Sequence, residues 1–225
     1  MTSVKTPASE AEARAIQDEL RNLVVLDEPG PLPGRGLVAG VDVAYDDERD
    51  LVAAAAVVLD AATLDVVEER TAVGRVSFPY VPGLLAFREL PTVLAALDAL
   101  TAAPDLVVCD GYGLAHPRGF GLACHLGVVT GLPSMGVAKN PFTFTYEEPG
   151  ARRGDAAALL AADGDVVGRA LRTQDGVKPV YVSVGHRISL DNACAHALAL
   201  SPRFRIPETT RHADSLCRRA LREAS

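Results

Sequence analysis

The chain has 225 residues, 48% hydrophobic and 23% charged, a balance that suits one large α/β domain with a sizeable core. A formal net charge of −7 argues against broad, non-specific attraction to nucleic acid, although a local basic patch is compatible with it. No apolar run reaches membrane-spanning length, and the opening Met1–Lys5 has no signal-peptide pattern. Cys109, Cys124, Cys194 and Cys217 form no C-x-x-C pair, so they read as buried thiols in a cytoplasmic protein.

In chain order, Ser9 with Glu12 makes a capping box for an amphipathic helix carrying Ile16, Leu20, Leu23 and Val24. A Pro- and Gly-rich loop, Pro29 to Gly36, leads into three strand-like segments, Leu37–Tyr45, Leu51–Leu59 and Leu64–Val73. The polar turn Asp46–Asp50 joins the first two, so an antiparallel meander is expected. Alternation follows: a helix from Leu84, a strand Asp105–Asp110, a helix Phe120–Thr130 and a strand Ser134–Ala138. Strands Val166–Arg172 and Val180–Val184 come next, and helices Leu190–Leu200 and Glu208–Arg222 close the chain. A meander followed by alternating elements implies a mixed sheet flanked by helices, the ribonuclease-H-like order. No repeat, low-complexity tract or long linker divides residues 1–225, so a single domain is expected.

Two carboxylates stand out against this frame. Asp110 closes the apolar run Leu106-Val107-Val108-Cys109 and is followed by Gly111-Tyr112-Gly113. A buried strand rarely ends in an unpaired acid, because the charge is costly unless a metal or partner compensates it. An Asp-Gly turn is the plainer explanation. Asp42 interrupts the first strand, where Gly40, Asp42 and Ala44 share a small, acidic face and Val41, Val43 and Tyr45 share a core face. Side by side, the two aspartates could hold a hard cation through oxygen. An edge-strand charge that discourages aggregation fits Asp42 equally well.

Between meander and fourth strand lies Phe78-Pro79-Tyr80-Val81-Pro82-Gly83-Leu84-Leu85-Ala86-Phe87-Arg88-Glu89. Pro79 and Pro82 stiffen a loop that presents Tyr80, a geometry suited to wedging into a base stack or, more simply, to a surface turn. Glu89 follows one turn into the helix, before Pro91 restarts or kinks it. Near the C-terminus, Arg203, Arg205, Arg211, Arg218, Arg219 and Arg222 fall close together, and a solvated helix face explains them. Asp214 borders the apolar stripe Ala213, Leu216, Cys217 and Ala220, with Arg211 and Arg218 at salt-bridge spacing.

Together these blocks resemble the endonuclease V family. The match rests on Gly40–Tyr45, Phe78–Glu89, and Asp110-Gly111-x-Gly-x-Ala-His116-Pro117-Arg118 continuing to Gly136-Val137-Ala138-Lys139. Gly185-His186-Arg187 and Pro207-Glu208-Thr209-Thr210-Arg211-x-Ala213-Asp214 agree in order. The resemblance implies that Asp42 and Asp110 are the main metal-binding aspartates and that Glu89 is catalytic and shares in the metal site, as Asp214 would. It places Asp214 where some members have His and others Asp, which leaves metal contact open and makes proton transfer by this residue doubtful. Tyr80 matches the duplex wedge, and Gly83, Leu85, Gly111 and His116 match the pocket for extruded hypoxanthine. Lys139 matches the lysine near the scissile phosphate. Tyr112 departs from the His or Gln common at its position.

The implied activity is Mg²⁺-assisted hydrolysis, with Mn²⁺ as a substitute, nicking deoxyinosine-containing DNA at the second phosphodiester bond 3′ to the lesion. The lesion would stay in the strand for other repair proteins, and the enzyme would work as a monomer in the cytoplasm, away from membranes. Two alternatives stand beside it: an inosine-specific ribonuclease of the same fold, distinguished by contacts to the 2′-hydroxyl, and a lesion binder that never cuts.

Overall fold

The computed structural model describes residues 6–224; Met1–Lys5, on which the expectation of no signal peptide rests, and Ser225 lie outside the described residues. Helix α1 spans Glu10–Leu20, with Ser9 Oγ accepting from Glu12 N at 3.2 Å. Glu12 Oε2 accepts in turn from Ala8 N at 2.8 Å, one residue earlier than a strict capping box prescribes. The helix stops at Leu20, and Leu23, expected on its apolar stripe, is exposed; Ala13 and Gln17 are the residues it buries.

Strands β1 (Leu37–Asp46), β2 (Leu51–Asp60) and β3 (Val66–Arg75) form the expected meander. After α2 (Leu85–Asp98) come β4 (Leu106–Cys109), α3 (Leu122–Thr130) and β5 (Ser134–Ala138). Then follow β6 (Ala156–Leu160), β7 (Val166–Leu171), β8 (Val180–His186), α4 (Leu190–Ala199) and α5 (Glu208–Glu223). The eight strands make one mixed sheet in the order β3-β2-β1-β4-β5-β8-β7-β6. The pairs β1–β4 and β4–β5 are parallel and the others antiparallel. Strand β6 leaves no clear mark in the sequence, because its alanines carry little β preference and only Leu159 of the five is fully buried.

Both faces are covered. Ala39, Val41, Ala54, Ala56 and Cys109 pack under α2 and α3. On the opposite face Ala55, Val57 and Leu59 pack under α5, while residues of the central strands such as Leu106, Val108, Val137 and Val182 pack under α4. The small face of β1 is therefore covered by α5 at Gly40. A Cβ on Gly40 would lie 2.3 Å from the Thr209 carbonyl oxygen, so the glycine exists to admit the start of α5. Helix α2 runs through Pro91 without a restart. Burying Ala86, Phe87, Leu90 and Val93 outweighs the roughly 3 kcal/mol a helix-interior proline costs. All four cysteines are free and buried, and no helix among the described residues is long and apolar enough to cross a membrane.

Candidate active site

The site arises where β1 outruns β4. The parallel pairing ends at Val41↔Cys109, and Asp110 N reaches the Val41 carbonyl at 3.5 Å as the chains part. Val41 and Cys109 point to the α2/α3 side, so Asp42 and Asp110, next in each chain, point to the α5 side. Glu89 arrives on α2 from the other side and is held by Tyr45, whose hydroxyl donates to Oε1 at 3.0 Å. Because β4 has ended, the sheet no longer separates the acids. Carboxyl ends of parallel strands are where open α/β sheets place their ligands.

Their electrostatics record this crowding. Burial first, then the charge of Asp110, push Asp42 up to about 7, although Val43 N donates to its Oδ1 at 2.8 Å. Glu89, only 6% exposed, is pushed up to about 8, chiefly by burial, against the pull of the Tyr45 hydroxyl. Burial also raises Asp110, while its hydrogen-bonded ion pair with Lys139 opposes the shift. Burial weakens the Lys139 ammonium, but Asp110, Asp42 and Asp214 more than restore it and leave its pKa raised. Asp214 projects from α5 into the same field and is tied to Arg218, with Nη2 to Oδ1 at 3.0 Å. The salt bridge expected on the helix is thus present, together with an orientation toward Asp42 and Asp110.

An all-oxygen set with one lysine suits a hard cation such as Mg²⁺, which takes one or two carboxylates and completes its shell with water and substrate phosphate. Among the described residues no three or more His, Cys, Asp or Glu are already gathered as a metal cage. The fit is that of a shared site. The buried, mutually repelling Asp42 and Asp110 would hold the ion from one side, and the phosphate would complete it from the other.

Beside the acids lies a cavity of about 230 Å³, walled by Tyr80, Pro82, Gly83, Leu85 and Gly111 and reaching Asp110. The loop that carries Pro79 stands Tyr80 out from its rim, 68% exposed. Gly83 takes φ +82°, a conformation that turns its carbonyl to receive Gln17 Nε2 at 2.9 Å. His116 also borders the cavity, and its Nδ1 accepts from Arg118 N at 3.2 Å. Burial brings its pKa down to about 4, so it is neutral where it borders the cavity.

Three residues here escape a reading of the sequence. Tyr45 falls on the core face by alternation, and only the packing of α2 shows that its hydroxyl reaches Glu89. Gln17 bridges Gly83 and the Phe120 carbonyl, the latter at 3.3 Å, a contact between segments 66 and 103 residues away that leaves no local signal. Phe142, 43% exposed, stacks on Tyr112 with ring centroids 5.6 Å apart; its position shortly after Lys139 is the available hint.

A helix-flanked mixed sheet with acids gathered at the ends of its first and fourth strands defines a ribonuclease-H-like nuclease fold. The family model described as Endonuclease V matches residues 18–215. The endonuclease V of Streptomyces avermitilis is 76% identical over the full length of both chains. A crystal structure of the S. avermitilis enzyme superposes with TM-score 0.95 at 78% identity, covering 97% of this chain and 96% of that one. The Ciona intestinalis enzyme, solved with a 24mer DNA containing an inosine followed by a ribo-adenosine, superposes with TM-score 0.84 at 28% identity, covering 96% and 98%. The chain belongs to the endonuclease V family, and with the family comes endonuclease activity.

Proposed function

We propose that this protein nicks deoxyinosine-containing DNA at the second phosphodiester bond 3′ to the lesion, with Asp42, Glu89, Asp110, Lys139 and Asp214 forming the catalytic centre. The observation that carries the reading is the adjacency of that acidic centre to a base-sized cavity sharing Asp110 as a wall. A complex of the Ciona relative with inosine-containing DNA supports the substrate class.

Tyr80 would enter the stack and take the place of the extruded base, and the cavity would receive hypoxanthine against the Gly83, Leu85 and Gly111 backbone with His116 beside it. Extrusion costs a few kcal/mol, less for a weakly paired base, so selectivity begins before the pocket is filled. A divalent cation, Mg²⁺ with Mn²⁺ as substitute, would be held by Asp42 and Asp110 and would supply Lewis acidity at the phosphate and toward an attacking water. Asp42 and Asp110 orient the phosphate-facing side of the centre. Glu89, held protonated near neutral pH by burial, would release its proton to solvent in a centre carrying positive charge, and its carboxylate would then be placed to take a proton from water. Lys139, shared with Asp110, turns to the charge that develops on the phosphate. Asp214 supports the field from α5.

The test is nicking of end-labelled duplex carrying one deoxyinosine, in Mg²⁺, in EDTA and with Asp110→Ala. A Mg²⁺-dependent cut one nucleotide beyond the lesion, absent in the variant, is expected. Retention of inosine DNA in a gel without any cut would replace the reading with a binding role. Faster cutting of the matched inosine RNA would replace it with the ribonuclease role.

A further inference from the structure

The C-terminal arginines, one cluster in the sequence, divide into two groups in the fold. Arg211, Arg218, Arg219 and Arg222 lie on α5, and the first three pair with Glu208, Asp214 and Glu69. Arg203 and Arg205 lie in the loop before α5, not on a helix face. There they meet Arg153 around a shallow groove of about 530 Å³ lined by Arg153, Gln174, Asp175, Arg203, Phe204 and Arg205, and the exposed Lys178 follows the lining residue Val177 at its edge, its carbonyl accepting from Arg205.

Charge in this groove is not cancelled. Among the described residues, Arg153, Lys178, Arg203 and Arg205 have no carboxylate ion-pair partner, and Asp175 is the one acid in the lining. The Arg153 guanidinium donates to the Leu198 and Ser201 carbonyls at 2.7 Å, and Arg205 to those of Lys178 at 2.9 Å and Pro179 at 2.8 Å. Carbonyls orient a guanidinium without neutralising it, so the positive field remains. By contrast, the cations nearer the acids are committed: Arg88 to Asp47, Arg118 to Asp18, Lys139 to Asp110. An aromatic ring is interleaved, since Phe204 is 45% exposed with the Arg211 guanidinium 3.6 Å from its centroid.

The groove is joined to the site. Arg205 Nη2 donates to the Lys139 carbonyl, and β5 and β8 pair Ala138 with Tyr181, which sets Lys139 beside the Lys178–Pro179 approach to β8. A chain with net charge −7 that must hold a polyanion needs a local cationic path, and this one starts at the backbone of Lys139.

We propose that this groove binds the phosphodiester backbone of the substrate strand on one side of the cut and delivers it to Lys139. The proposal rests on the nuclease reading above for its placement, but the contact is to phosphate and independent of base identity. The Lys178 and Arg203 side chains bond no other described residue, so the double variant Lys178→Ala/Arg203→Ala should fold, which circular dichroism checks. Affinity is measured for wild type and variant in EDTA, from 50 to 300 mM salt, on an inosine strand and on an inosine-free strand of equal length. Removing two phosphate contacts should reduce the slope of log K against log salt by about 1.4 on single strands and about 1.8 on duplex. It should weaken binding at least ten-fold near 0.1 M salt. Trimming one flank of the strand should abolish the difference, and trimming the other should preserve it. An unchanged slope, or a difference that survives both truncations, overturns the proposal. If wild type ignores inosine yet the slope difference persists on the plain strand, the lesion reading fails and the groove stands.

Discussion

Replacing Glu89 by an uncharged side chain should flatten the fall in stability of the metal-free protein with rising pH while destroying its activity. The carboxyl is pushed from an ordinary 4.5 to about 8, mainly by burial. The native state therefore binds more protons than the unfolded chain between those values, and stability must fall as pH rises through them. From pH 5 to pH 8 the loss attributable to Glu89 is about 3 kcal/mol, counting 1.36 kcal/mol per unit and treating the shift as an upper bound. Urea unfolding in EDTA at pH 5, 6, 7 and 8 reads this directly. Wild type should lose stability across the range, and Glu89→Gln should flatten the loss by most of that amount. The slope is the decisive quantity, because a Gln amide left unpaired in this setting lowers stability at every pH by about 1–3 kcal/mol. Mg²⁺ should then recover more stability for wild type than for the variant at pH 8. Parallel slopes for the two proteins, or a wild type that gains stability as pH rises, would refute the account of Glu89 as an acid held against its own ionisation.

Tyr80→Ala should leave unfolding within about 0.5 kcal/mol of wild type, as an exposed side chain does, yet slow nicking of duplex inosine DNA about ten-fold or more and of single strands far less. Equal losses on both substrates would remove the wedge role. Gln17→Leu strips donors from the Gly83 and Phe120 carbonyls and should cost about 1–3 kcal/mol in urea unfolding, with KM for inosine strands rising more than kcat falls. A fall in kcat at constant KM would mean that Gln17 serves the acids and not the cavity wall. Gly40→Ala drives a methyl group into the Thr209 carbonyl and should destabilise by about 3 kcal/mol or abolish soluble expression; a neutral result would show that α5 can lift off β1.

What can be read from the sequence, and what cannot, follows from the range of the interactions involved. Asp42 and Asp110 are legible because a strand has period two and each acid breaks an apolar run; the pattern is local even though the site is not. Parallel pairing then brings them together without further information, since Val41 opposite Cys109 leaves the next residue of each chain on the same face. Glu89 is legible only through the resemblance of the Phe78–Glu89 block to the family, not through its helix, where an acid next to Arg88 looks solvated. Its burial depends on Tyr45, a strand residue 44 positions away. What covers the small face of β1 is not legible, for the complementary reason. Alternation says which residues share a face but not what lies across from it, and a glycine that admits a helix looks the same in sequence as one that admits a ligand.

That ambiguity also explains the basic groove. Arg203 and Arg205 shortly precede Arg211, close enough in sequence to be mistaken for part of one charged helix face. The loop between α4 and α5 turns the first two toward Arg153 and Lys178, which come from loops preceding β6 and β8. Carbonyls, not carboxylates, then decide the outcome. Where an arginine meets an acid its field is closed locally, and where it meets the backbone before β8 and at the end of α4 its field stays open to solvent. An acidic nuclease can keep the carboxylates of its candidate centre and still attract a strand if several open cations are gathered at one end of the sheet, out of ion-pair reach of those acids. In this chain that end is the one where Lys139 stands.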